Sequence, residues 1–241
     1  MTRSKKRSIA LAAAALMGTG IASAQSVQPM RFDLRPSGAE AQTTMQIENN
    51  RTHPITVEIV PDEISLDERG AEVLTSAEDD FLIFPPQAII EPGRTQSVRV
   101  RYIGDAGLEA SKSYRVTVKQ IPVDLSGQQR SGVSMAFNFA TLGAVVPVGA
   151  KPNLSVAPLT SGESGKAVAT ISNDGDAYAR ILAYDWTLRD GEREHVLSSD
   201  EVTSMMTGVS GLVPPSADRR FTLTLPEGFD ASRTTLALTP Q

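Results

Sequence analysis

Apolar and polar positions alternate along five stretches in the first part of the chain: 44–48, 55–60, 97–102, 114–121 and 131–141. Successive side chains of an extended strand point to opposite faces, so this alternation predicts half-buried β-strands. Turn-forming clusters divide them: Asn49-Asn50, Pro85-Pro86, Pro92-Gly93, Gly104-Asp105 and Ser126-Gly127. The pattern returns at 154–156, 167–171, 180–188, 221–225 and 234–238, with Asn173-Asp174-Gly175 and Asp190-Gly191 as turn signals. Runs of strong helical period are missing. Between the two sets, Pro147-Val148-Gly149-Ala150-Lys151-Pro152 has the composition of a linker. The expectation is an all-β chain of two Ig-like β-sandwich domains, 25–147 and 152–241, joined by a short linker. Each is near the usual size of such a domain, about 100 residues. The sequence shows no convincing internal repeat.

The first 24 residues stand outside this pattern. Arg3, Lys5, Lys6 and Arg7 precede a short apolar run at 9–17, and Ala22-Ser23-Ala24 follows. A basic start, an apolar centre and an A-x-A site predict a cleaved secretory signal peptide, with a mature chain from Gln25 in the periplasm. The apolar run is short for a membrane span, which needs about 20 residues, so the protein is expected not to be membrane-embedded. The full chain has 23 Lys+Arg and 28 Asp+Glu. Loss of the four basic residues of the leader leaves 19 against 28, a net charge of −9. That balance argues against nucleic acid as a partner, because binding phosphates calls for a basic footprint. There is no cysteine, hence no disulfide, thiolate metal site or cysteine nucleophile.

The catalytic inventory is thin. His53 lies in the turn-like stretch before Pro54, and His195 in the charged run Glu192-Arg193-Glu194-His195. Both are expected to be solvated. Asp79-Asp80 is a carboxylate pair by sequence only, since adjacent residues of a strand face opposite ways; a solvated loop before Phe81 is the expected setting. No metalloprotease, nucleophile-elbow or phosphate-loop pattern occurs. No enzyme, no cofactor and no metal site are expected.

The most informative segment runs from 133 to 141. Val133, Met135, Phe137 and Phe139 are bulky and apolar; Ser134, Ala136, Asn138 and Ala140 are small or polar, and Thr141 closes the run. One face of this strand is therefore a row of large hydrophobes. Alternation alone favours an ordinary core strand of the first sandwich, and a strand offered to a partner is the other reading.

Several segments resemble, in order, the periplasmic pilus (fimbrial) assembly chaperone family. Met30-Arg31-Phe32-Asp33-Leu34 is similar to its first strand. Met45-Gln46-Ile47-Glu48-Asn49, then Pro54, resembles its strand–Asn–loop–Pro element. Phe84-Pro85-Pro86-Gln87-Ala88-Ile89-Ile90-Glu91-Pro92-Gly93, with Gln96-Ser97-Val98-Arg99-Val100, is the strongest match. Tyr114-Arg115-Val116-Thr117-Val118-Lys119-Gln120-Ile121-Pro122 resembles the strand ending in Ile-Pro. The alternating 133–141 segment follows in the place of the family's donor strand. The resemblance covers about 27–147. It is weaker over 152–241, where Leu212-Val213-Pro214 and 219–223 look like late strands.

The resemblance implies a chaperone that binds pilus subunits by donating the strand at 133–141, with Val133, Met135, Phe137 and Phe139 inserted. It implies delivery to an outer-membrane usher. It also implies that Arg31 anchors the subunit's C-terminal carboxylate. The sequence departs from the family at three places: Ala144 stands where the donor-strand Lys belongs, Ser111 stands where an acid is usual, and Val146-Pro147-Val148 replaces an aromatic-Arg-Pro entry. Arg35 and Lys151 are the candidates for a second cation. The free protein should either dimerise through its exposed donor strands or keep that segment mobile. The bulky face should be largely exposed, so that Phe137 and Phe139 behave alike on truncation. The alternative reading is a secreted Ig-like structural or adhesive pilus component.

Overall fold

The computed structural model describes residues 25–122, 136–163 and 166–241. The leader 1–24, with its expected cleavage site, and the candidate donor residues Val133 and Met135 lie outside these. No helix among the described residues is long and apolar enough to cross a membrane.

Among the described residues, the first half contributes ten strands. They are β1 (Ser26–Gln28), β2 (Arg31–Leu34), β3 (Gln42–Glu48), β4 (Ile55–Leu66) and β5 (Glu72–Ser76). β6 (Phe81–Phe84), β7 (Gln87–Ile90), β8 (Thr95–Tyr102), β9 (Lys112–Ile121) and β10 (Asn138–Val145) complete the set. One sheet has the order β1-β3-β8-β6; the other has the order β2-β10-β9-β4-β5, with β7 also on β4. Inward residues of the alternating runs, among them Met45, Ile47, Val57, Ile59, Val98, Val100 and Val116, form the shared core. Phe81 stands edge-on to Tyr102 and Tyr114, with ring centroids 5.6 and 4.9 Å away. Asp80 is not a loosely solvated acid. Its Oδ2 accepts the Tyr114 hydroxyl at 2.9 Å, in a 3-10 turn (Glu78–Asp80) rather than a strand. Burial and that bond push the Tyr114 pKa up.

The predicted strand at 131–141 continues past Thr141 to Val145. Residues 141–145 are buried on both faces, so the polar positions that make alternation visible disappear there. Gly143 is required in this stretch: a Cβ there would lie 2.8 Å from the Phe32 ring.

The second half contributes β11 (Leu154–Val156), β12 (Thr160–Ser161), β13 (Ala167–Asn173), β14 (Ala179–Arg180) and β15 (Tyr184–Asp190). It continues with β16 (Arg193–Val196), the helix α1 (Ser199–Ser204), β17 (Leu212–Val213), β18 (Ala217–Leu223) and β19 (Thr235–Pro240). Trp186 is its central side chain, edge-on to Phe221 at 5.9 Å, with its indole N–H donating to the Ile181 carbonyl. The expected run 180–188 is broken by a 3-10 turn (Ile181–Ala183), where the chain passes from β14, paired with β17, to β15, paired with β19. α1 opens with a capping box from Ser198 and Glu201, which satisfies free N–H groups at its start.

Both halves repeat one device that the sequence hides. Asn49, just after β3, donates to the His53 and Ile90 carbonyls and accepts from the Arg51 N–H. Asn173, at the end of β13, donates to the Ala177, Val213 and Pro214 carbonyls and accepts from the Gly175 N–H. Both residues are fully buried. A buried amide persists only when its groups are paired, and here it ties the turn after the strand to a neighbouring segment.

Candidate functional site

β10 lies between two strands of unequal reach. β9 pairs antiparallel with it along its whole length, from Asn138 to Val145. β2 pairs parallel with it over 142–145 only, setting Arg31 beside Leu142. The Leu142 N–H donates to the Met30 carbonyl and the Val146 N–H to the Leu34 carbonyl. Even-numbered residues thus turn their main-chain groups away from β9. By the same parity those of Asn138 and Ala140 face the side beyond Met30, where no described strand is paired. The result is a short open edge at 138–141, next to the start of the strand.

Side chains sort by the same parity. Phe139, opposite Val118, is half-buried and packs against the first core. Thr141 is buried and donates to the Val116 carbonyl at 2.8 Å. Phe137 is 43% exposed, with the Arg51 guanidinium 4.8 Å from its ring centroid. The sequence expectation that Phe137 and Phe139 share one exposed face therefore divides. Phe139 joins the protein's own core, while Phe137, just before β10, stays largely exposed.

Arg31 is exposed on β2. On the same face of β2, Asp33 accepts the hydroxyl of Tyr178, from the second half, at 2.8 Å. Burial, then the Asp33 charge and this bond, push the Tyr178 pKa well up, and the nearby Arg31 charge works against them. Ala144 is 1% exposed and packs with Val146 and Ala177 between the halves, so a lysine could not occupy that position without opening the junction. Arg35 is engaged elsewhere: its Nη1 donates to the Val146 and Pro147 carbonyls and its Nε pairs with Glu40. Lys151 is exposed on the connecting segment. A cleft of about 830 Å³ opens here, lined among others by Asp33, Arg35, Glu40, Tyr178 and Arg180; Arg31 is not part of its lining.

The junction also holds residues that sequence reasoning misses. Ser111 receives the Tyr178 N–H on its Oγ at 2.7 Å and donates its own N–H to the Asp176 carbonyl. It does the work of a connector where the family resemblance implies an acid. Arg115 forks onto Glu72 at 2.9 and 2.7 Å, and the Ser210 hydroxyl donates to the same carboxylate. Burial alone raises the Glu72 pKa, but hydrogen bonds from Arg115 and Ser210 and nearby positive charge outweigh it, and the net shift is downward. Arg219 is buried and donates to the Leu212, Ser210 and Gly70 carbonyls. Its position is detectable in sequence: it shares the inward parity of Phe221 and Leu223 on β18.

His53 is exposed, and His195, half-buried on β16, lies 3.5 Å from Glu201. Among the described residues no group of three or more His, Cys, Asp or Glu is placed to hold a metal ion.

The family described as pili and flagellar-assembly chaperone, PapD N-terminal domain, matches residues 26–141. No curated protein matches the chain by sequence. Similar solved structures include the CsuC–CsuE chaperone–tip adhesion subunit pre-assembly complex of archaic Csu pili from Acinetobacter baumannii. It shows 14% identity and a TM-score of 0.58 over 90% of this chain and 98% of that one. The chaperone DraB of E. coli is similar at 17% identity and a TM-score of 0.54, over 90% and 98%. The SafA pilin–SafB chaperone complex of Salmonella enterica shows 18% and 0.53, over 83% and 84%. These likenesses concern the fold: two Ig-like β-sandwich domains in one chain.

Proposed function

Because residues 26–141 make this chain a member of the pili and flagellar-assembly chaperone family, we propose that it captures pilus subunits in the periplasm by lending them its 133–141 strand, then hands them to an outer-membrane usher. The observation that carries this reading is the open edge of β10 at 138–141 beside the exposed Phe137. An Ig-like subunit lacking its last strand exposes an apolar groove between two open strand edges, which is an aggregation hazard. A strand laid into the groove satisfies those edges by main-chain hydrogen bonds, while alternate side chains fill its pockets. Asn138 and Ala140 supply main-chain groups of the right direction. Val133, Met135 and Phe137 supply the inserted side chains, and Phe139 sits where the subunit's core gives way to the chaperone's own. Burying each large apolar side chain contributes about 1.5–3 kcal/mol, part of which offsets the cost of ordering the partners.

Arg31 is assigned the subunit's terminal carboxylate, because a charge-assisted bond at the end of the added strand fixes its register. Export by the 1–24 leader and a division into domains at 147–152 belong to the same proposal. The test is Arg31→Ala. The variant should fold as the parent does, by far-UV circular dichroism and melting, yet yield no stable complex when co-expressed with a pilus subunit of the same genome. Normal complex recovery would remove Arg31 from the site. Finding the protein polymerised in purified surface fibres would overturn the chaperone reading itself.

A further inference from the structure

The loop at 49–54 is fixed at its base. Asn49 is buried, its side chain holds the His53 and Ile90 carbonyls, and its carbonyl oxygen receives the Gly93 N–H. Its Oδ1 receives the Arg51 N–H at 3.0 Å. From this platform the Arg51 side chain reaches across to the entry of β10 and sets its guanidinium 4.8 Å from the Phe137 ring centroid. None of the ion pairs among the described residues involves Arg51. The Phe137 main chain is held by Gln120, whose N–H donates to the Phe137 carbonyl at 3.2 Å and whose Oε1 receives the Phe137 N–H at 3.4 Å.

We propose that Arg51 is a positioning residue for Phe137, at the entry to β10: in the free protein it clasps that ring, and it must withdraw before the ring enters a partner. The proposal rests on the donor-strand reading above. The two states exclude each other for a physical reason. A guanidinium over a ring face is attractive while its other donors remain in water. An apolar groove closing on the same ring would strip that water from a cation with no counter-charge, and burying an unpaired charge is strongly unfavourable. Without a partner, the clasp covers an aromatic that would otherwise invite self-association along the open edge. An exposed cation–π contact corresponds to about a two- to five-fold shift in the closed–open equilibrium, enough to guard the ring and small enough for a subunit to displace.

The experiment uses the full mature chain and three single variants: Arg51→Met, which keeps the length and loses the charge, Arg51→Lys, and Phe137→Leu. The ring current of Phe137 should shift the Arg51 side-chain proton resonances upfield, and Phe137→Leu should abolish that shift. Arg51→Met should speed amide exchange at Phe137 and Gln120 by about two- to five-fold, with Arg51→Lys in between. In the Phe137→Leu background, Arg51→Met should have no added effect. Added to a pilus subunit of the same genome diluted from denaturant, Arg51→Met should capture it faster than the parent. Unchanged exchange together with an absent ring-current shift would overturn the clasp. Slower capture by Arg51→Met would also overturn it, making Arg51 a direct contact instead. If Phe137→Leu leaves capture untouched while the exchange effects appear, the clasp stands and the donor-strand reading falls.

Discussion

Two phenylalanines two residues apart, Phe137 just before β10 and Phe139 within it, should respond very differently to truncation. Phe139 packs against the first core. Removing a fully buried Phe costs about 3–5 kcal/mol, so this half-buried one should cost about half, roughly 2 kcal/mol. Phe137 is 43% exposed and has the Arg51 guanidinium over its ring. Its loss should cost about 0.5–1 kcal/mol, the size of an exposed cation–π contact. That is more than the near-zero cost its exposure alone would suggest. Urea unfolding of the free protein and of Phe137→Ala and Phe139→Ala, analysed at a common slope, measures both costs directly. Phe139→Ala should lower the midpoint clearly more than Phe137→Ala, while Phe137→Ala should show the larger loss in subunit capture. Equal midpoint shifts, or a shift larger for Phe137, would refute the assignment of Phe139 to the protein's own core and of Phe137 to its open edge.

Glu72 predicts a pH dependence. Its carboxyl is held below its ordinary 4.5, so its contribution is complete above that value and is lost as pH falls through the lowered one. Melting temperatures followed from about pH 6 down to 3 should therefore fall more steeply for the parent than for Glu72→Gln; parallel curves would count against it. Gly143→Ala should destabilise by about 1–3 kcal/mol, the usual range for overpacking, because its new methyl meets the Phe32 ring at 2.8 Å. A neutral result in chemical denaturation would mean that β2 shifts freely on β10.

Of the ten described strands of the first half, alternation reveals five, β3, β4, β8, β9 and β10, where one face is buried and the other solvated over much of the strand, as in β3 with Met45 and Ile47 inward; the short β1, β2, β5, β6 and β7 are too brief to show it. Legibility fails where that asymmetry fails. Residues 142–145 have no solvated face, so alternation ends the strand at Thr141, four residues short. The junction is not legible for another reason. Glu72, Arg115 and Ser210 meet from distant segments, and no local pattern encodes that meeting. Arg219 is an intermediate case, its inward parity on β18 being present but masked by the usual preference of arginine for the surface. At the candidate site, alternation puts Phe137 and Phe139 on one face, but Phe139 packs on the first core while Phe137, just before β10, is 43% exposed. Alternation cannot give the point along the strand at which β2 stops covering the edge, since that depends on pairing between segments far apart in the chain.

That pairing also sets an order of events. Thr141 bonds to Val116, 25 residues earlier, whereas just past the ends of β2 and β10 Arg35 meets Val146, 111 residues apart. Closing the shorter loop carries the smaller entropic cost, and long-range pairing is the slower kind of contact. A newly made chain would therefore assemble the β9–β10 hairpin early and dock β2 late. Until β2 docks, the whole of β10 lies open on one side, and the length of edge offered to any other strand is undefined. The final docking step fixes that length at 138–141. Completion of the fold and setting of the length of the open edge are then a single event.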